Sequence, residues 1–232
     1  MNILAKPIGY LLSFIYGYVD NYGLSIIILT FIVRLAMFPL QGKQTAYSAR
    51  MAELGPKLKE IQTRYAHDKE QMNQKTSELY KEAGVNPLSG CLPMLIQMPI
   101  IFGLFALLRN PLGFMTDPEM LVAVHEAFFW IPDLSQPDPW ILPFLAGLST
   151  FLTQAQTSAS DTTGMMKGMK YFFPIMIFAL GNSFPAGLAL YWAVGNGLAI
   201  LQSAYFNNKH KKEKLRKEAE EEVRKKLAKQ NR

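Results

Sequence analysis

Apolar residues in this chain are gathered into five blocks, at 24–40, 92–108, 140–156, 170–184 and 186–206, each 15 to 21 residues long. A membrane-crossing helix needs roughly 17 to 25 mostly apolar residues. Hydrocarbon offers no partner to a backbone N–H or C=O, so such blocks must satisfy their backbone internally, as helices. The expected fold is therefore all-α: a polytopic membrane protein with five transmembrane helices. The fourth is short, and the turn at Pro185 in "NSFPAGL" divides it from the fifth. The opening stretch "MNILAKPIGYLLSFIYGYVDNY" is too interrupted by Pro7 and Gly9 for a sixth crossing, and no small-residue cleavage site marks it as a signal peptide. Residues 1–22 are read as an N-terminal interfacial amphipathic helix, with its helical part at 8–18, lying flat on the outer side with tyrosines at headgroup level.

Basic residues orient the chain. Eight Lys and Arg fall between Lys43 and Lys81 and eleven between Lys209 and Arg232, with Lys167 and Lys170 before the fourth span. Only Lys6 and Arg109 belong to the other side, where the loop 110–139 carries Asp117, Glu119, Glu126, Asp133 and Asp138. Positive charge stays cytoplasmic, which puts the N-terminus outside and the C-terminus in the cytoplasm. The core, 23–206, then encloses a cytoplasmic segment at 41–84 and is followed by a basic tail at 207–232.

The segment 41–84 has helical periodicity. Met51, Leu54, Leu58, Ile61 and Tyr65 recur at three and four spacing, as do Met72, Thr76, Leu79 and Ala83. Asp68 with Gln71 reads as a helix start and Gly84 as a helix end. Two antiparallel helices forming a hairpin are expected, the first kinked or restarted at Gly55-Pro56. The residues alone leave the hairpin either a connector or a docking element. The tail carries eleven basic against five acidic residues, a net charge equal to the +6 of the whole chain. Its densest run, Lys209, Lys211, Lys212, Lys214, Arg216 and Lys217, suits anionic lipid or nucleic acid, or serves only to fix topology.

Arg34, inside "LTFIVRLAMFPL", is the only charge within the five blocks apart from Lys170 at an edge. An arginine at a helix centre costs about 2.5 to 3.5 kcal/mol to insert. Either its stem snorkels to the interface, or it faces a watery cavity shared with Thr30, Gln97, Thr153, Gln154, Asn196 and Ser203 and walled by Trp192. Such a cationic cavity, lacking an internal counter-ion, suits an acidic group arriving from outside the protein. The blocks contain no Asp, Glu or His for a proton relay or for a hydrolase base, and no phosphate-binding glycine loop is present. An enzyme is not expected. With one cysteine, Cys91, and histidines 67, 125 and 210 in three separate segments, neither a metal nor a cofactor is expected. The alternative is a channel or transporter with a cationic intramembrane cavity.

"LTFIVRLAMFPL", "LYKEAGVNPLSGCLPMLIQMPIIFGLF", "DPWILPFLAGLSTFLTQ" and "FPAGLALYWAVGN" resemble, in order and spacing, the core of the YidC family of membrane protein insertases from about residue 24 to 202. The resemblance implies a five-helix insertase in the bacterial cytoplasmic membrane, acting as a monomer on nascent membrane proteins. Its hydrophilic groove would be open to the cytoplasm and to lipid and closed on the outer side. Arg34 and Thr30 match the groove arginine and the threonine one turn before it, Gln154 the polar third-span position, and Trp192, preceded by Tyr191, the fifth-span aromatic. The resemblance further implies a mobile cytoplasmic hairpin needed for activity, a tail that recruits ribosomes, and work beside the Sec translocon. Members from double-membraned bacteria add an N-terminal span and a periplasmic domain, neither of which appears in this sequence.

Overall fold

The computed structural model describes residues 2–86, 92–109, 113–114, 118–157 and 164–230; Cys91 and Asp117 lie outside them. The described residues are helical: α1 (Asn2–Val19), α2 (Tyr22–Ala36), α3 (Phe38–Arg64), α4 (Lys69–Glu82), α5 (Leu92–Arg109), α6 (Pro118–Ala123), α7 (Ile141–Thr157), α8 (Gly164–Gly181) and α9 (Ala186–Gln230). Among them the only β pairing is an isolated bridge between Phe128 and Ile131.

The apolar block at 24–40 is not one straight helix. It breaks at Met37, and α2 and α3 meet at 60°. Pro39, at the second position of α3, needs no intrahelical N–H there and so is tolerated as the new helix begins. Among the described residues no single helix is long and apolar enough to cross a membrane, whereas α2 and α3 together are. Polar residues such as Gln97, Gln154, Asn196 and Gln202 dilute α5, α7 and α9, and the same residues recur in the site described below.

Two other helices run on where interruptions are expected. α1 begins at Asn2 and continues through Pro7, six residues before the expected start. Its buried side carries Leu12 and Ile15, while Tyr10, Phe14 and Tyr18 form an exposed aromatic stripe at four-residue spacing. α3 passes through Pro56 without restarting. Pro56 is exposed, and a proline costs a helix least on a solvent-facing side, where water can take up the carbonyl left without its N–H.

Capping follows the expected chemistry in the hairpin. Asp68 accepts the Gln71 N–H at 2.9 Å and starts α4, and Gly84, at φ +63°, ends it. Met51 and Leu58 are buried, while Ile61, Met72 and Leu79 are half-buried. The exposed tail cations do not leave the bundle as a separate element. They continue α9, whose 45 residues extend about 68 Å. Lys214 reaches back to Glu53 of α3 at 2.9 Å.

The described segment 118–140 is a folded cap. Met120, Val124, Ile131 and Leu134 are almost fully buried, each worth roughly 1.5 to 3 kcal/mol over exposure. Its carbonyls take orphan donors from the first turn of α9: Ala186 N–H to Gln136 at 2.8 Å and Gly187 N–H to Leu134 at 2.9 Å. Asp138 caps α7, its Oδ1 accepting from Trp140, Ile141 and Leu142 and its Oδ2 from the Trp130 indole. At Gly23 a Cβ would stand 2.3 Å from the Phe128 ring, so the cap closes on α2 only over a glycine.

Candidate functional site: a polar joint around Arg34

Arg34 lies in the last turn of α2, half-buried, with its guanidinium against the backbone of α9. A Cβ at Gly195 would stand 3.1 Å from its Nη2 and 3.4 Å from its Nε. The charge is neither snorkelled into open water nor paired: among the described residues no carboxylate forms a salt bridge with it. Its electrostatic neighbour is Tyr191, one turn before Gly195 on the same face of α9. The Tyr191 hydroxyl accepts a 2.8 Å hydrogen bond from Gln97 of α5. Three helices therefore converge here, and the phenol oxygen is oriented by an amide.

Thr30 sits beside Arg34 but offers it no hydroxyl. Its Oγ1 donates to the Ile26 carbonyl at 2.7 Å, and the residue is fully buried. Thr30 thus contributes shape, its methyl lying 3.6 Å from where a Gly195 Cβ would be. Further along α9, Gln202 donates to the Arg34 carbonyl at 3.2 Å and fixes the end of α2, while its own Oε1 is buried with no hydrogen-bond partner. Ser203 belongs to a separate seam with α3, accepting from Gln41 at 3.2 Å.

The polar residues of α9 divide between two faces. Trp192 and Asn196 turn to α7, where both donate to Thr150 Oγ1, at 2.8 and 2.9 Å, and Asn196 also reaches Ser149 at 3.4 Å. Thr150 in turn donates to the Ala146 carbonyl at 2.6 Å, which completes its hydrogen bonding. This seam holds two helices together. Gln154 lies one turn beyond Thr150, half-buried.

Trp192 separates unlike environments. Its indole N–H serves the polar seam, and its ring lines a cavity of about 210 Å³ between α5, α7, α8 and α9, with Met98, Phe105, Phe173, Ile177 and Leu188. The cavity lining is almost wholly apolar and offers a water few hydrogen-bond partners. A polar seam and an apolar cavity meet at one side chain.

Sequence reasoning missed Gly195, Thr150, Ser149, Gln41 and Gln202. On a helical wheel Tyr191, Gly195 and Gln202 share one stripe, and Trp192 and Asn196 another about 100° away. That signal was available in the sequence, though not the identity of the facing helix.

A family model described as 60Kd inner membrane protein matches residues 14–214. The chain is 39% identical over 209 residues to the membrane protein insertase YidC of Fusobacterium nucleatum, covering 90% of this chain and 97% of that relative. It is 45% identical over 201 residues to that of Vibrio atlanticus and 38% identical over 217 residues to that of Campylobacter jejuni, covering 86% and 93% of this chain but only 36% and 40% of those relatives. The chain thus spans well under half the length of these two. A solved structure described as an active YidC insertase with the first transmembrane domain resolved superposes with a TM-score of 0.67 at 25% identity, over 87% of this chain and 45% of that one. With nearly the whole of the fusobacterial relative matched and the helical fold shared, this chain belongs to the YidC family of membrane protein insertases.

Proposed function

We propose that the chain inserts small or single-span proteins into the bacterial cytoplasmic membrane through the polar joint around Arg34. Five crossings, made by α2 with the start of α3 and by α5, α7, α8 and the first half of α9, place the outer cap outside and the hairpin and tail in the cytoplasm. α1 lies at the outer interface with Tyr10, Phe14 and Tyr18 toward lipid. The observation that carries this reading is a half-buried guanidinium with no carboxylate beside it among the described residues, set next to hydrogen-bonding Tyr191 and Gln97. An unpaired charge at that depth draws water and acidic groups, because either one lowers its desolvation cost. A polar segment of a nascent protein would enter that recess part-way, and its apolar helix would then pass into lipid, which is downhill. No covalent step and no cofactor enter this scheme.

The groove residues in this reading are Arg34, Tyr191 and Gln97, with Gln154 at its rim and Thr30 as a wall; Trp192, Asn196 and Ser203 hold its frame. The hairpin docks or admits substrate, and the tail from Lys209 onward contacts the ribosome or anionic lipid, with the Sec translocon as a second partner and the monomer as the working unit.

The test is insertion into liposomes by the pure protein, using a single-span substrate with an acidic outer segment. Arg34→Ala is expected to lose insertion. Retention by Arg34→Lys would show that charge suffices, and loss would show that the planar fork is needed. Wild-type insertion by both variants overturns the cationic-groove mechanism, and steady ion flux without substrate would point to a channel.

A further inference from the structure

We propose that Gly195 is a positioning residue for the intramembrane charge: the bare α9 backbone at this position is the seat on which the Arg34 guanidinium lies. The inference rests on the groove reading above and concerns what holds the charge in place, since no carboxylate among the described residues does.

The contacts at Gly195 are uneven, and that unevenness identifies what the glycine is for. The position at which a Cβ would stand is 3.1 Å from Arg34 Nη2 and 3.4 Å from Nε, but 3.6 Å from the nearest atom of Thr30. The last is an ordinary van der Waals contact, so α2 and α9 would still pack with an alanine here. Only the guanidinium would be displaced. Gly197, two residues on and on a different face, meets nothing within 4 Å. Glycine in a helix interior is less stable than alanine by roughly 0.5 to 1 kcal/mol, and α9 bears that cost at both positions. At Gly195 the space gained is filled by a charged group, with Nη2 and Nε both close to the α9 backbone between Tyr191 and Gln202. A lysine ammonium is a point charge without a planar fork, so it has no face to lay on this seat.

The experiment compares Gly195→Ala, Gly195→Val and Gly197→Ala in the liposome assay, each in the wild-type and the Arg34→Lys background, with thermal unfolding measured in parallel. Gly195→Ala is expected to lower insertion about two- to tenfold, the equivalent of holding one side chain off its rotamer. Gly195→Val should approach the level of Arg34→Ala. Unfolding temperature should not fall for Gly195→Ala, and Gly197→Ala should insert normally. In the Arg34→Lys background the ratio of Gly195→Ala to its parent should return toward one. If Arg34→Lys is itself inactive, the decision rests on the graded loss from Ala to Val at 195 without loss of stability.

Wild-type insertion by Gly195→Ala and Gly195→Val, with Arg34→Ala inactive, overturns the seat and leaves the groove standing. An equal loss in both backgrounds, or a loss that tracks unfolding temperature, overturns it in favour of helix packing. Wild-type insertion by Arg34→Ala overturns the groove itself.

Discussion

Glu126 of the cap accepts the backbone N–H of Tyr22 at 2.7 Å, so a carboxylate from a segment 104 residues away closes the first turn of α2. Its other oxygen accepts from the Tyr16 hydroxyl of α1. One side chain thus ties α1, the start of the Arg34 helix and the cap into a single seal, with its negative charge at the positive end of α2. Glu126→Ala is expected to lower stability by about 1 to 3 kcal/mol, the range for a lost charge-assisted bond and a stranded donor. Glu126→Gln should lose less, since the amide still accepts one bond. Thermal unfolding in detergent checks both, and an unchanged midpoint for Glu126→Ala would mean the cap is held by its apolar core alone.

Tyr16 gives the same seal a dependence on alkaline pH. The hydrogen bond it donates to Glu126, followed by burial and the carboxylate's charge, holds its phenol well above the ordinary tyrosine value near 10. A group raised on folding contributes stability that is complete below the unfolded value and fades as pH climbs toward the folded one. The destabilisation caused by Tyr16→Phe is therefore expected to be constant from pH 6 to 9 and to shrink only in stronger base. A difference that vanished by pH 8 would contradict the bond.

Asp133 sets the opposite dependence in acid. Burial pushes its carboxyl up, but hydrogen bonds from the Ser135 hydroxyl, from His125 and from the Ser135 backbone outweigh it and hold the group below the ordinary range. Its contribution is complete above about pH 4 and is lost as pH falls through the lowered folded value. Asp133→Asn should differ from the wild type by a fixed unfolding temperature between pH 5 and 7, and the two curves should converge below pH 4. Parallel curves down to pH 2 would mean that the carboxylate does not titrate with folding.

What the sequence disclosed about this bundle is what composition and period record. Asp68 and Gly84 bound α4 because capping is local, and Arg34 is conspicuous because no other charge shares its block. The bend at Met37 is invisible to hydropathy, since a change of direction leaves the apolar count untouched. Pro7 and Pro56 misled for the opposite reason: a proline signals a lost bond, and a helix near solvent or near its own start accepts that loss. Gly195 shares a stripe with Tyr191 and Gln202, but neither that stripe nor anything local to Thr150 names the helix each one faces. Each acquires its meaning from a partner on another helix, at a distance in sequence that no periodicity spans.

The Lys214–Glu53 pair joins the α9 extension to the hairpin, with both side chains more than half exposed. Exposed pairs add little to global stability and are screened by salt. Lys214→Glu is therefore expected to leave the unfolding temperature unchanged while widening the distance distribution between spin labels on the hairpin and on α9. The widening should appear in wild type as salt is raised. A narrow distribution insensitive to both would mean that packing of α3 on α9 alone fixes the hairpin.

Thr150 gives the sharpest prediction about the frame of the site. Its hydroxyl is the shared acceptor for the Trp192 indole and the Asn196 amide, so Thr150→Val keeps the shape of the side chain and strands two donors at once. In water a stranded donor costs about 1 to 3 kcal/mol. Between membrane helices a side-chain bond averages about 0.6 kcal/mol and reaches about 1.7, because the unfolded helix finds other partners. Asn196 retains only the long 3.4 Å contact with Ser149, while Trp192, with its ring in the apolar cavity, has no second acceptor among the described residues. The loss is accordingly expected at about 1 to 2 kcal/mol, carried mainly by Trp192. Trp192→Phe in the Thr150→Val background should then cost little more than either change alone. Full additivity in that double-mutant cycle would show that the two side chains act independently, and that the seam between α7 and α9 is held by the neighbouring packing instead.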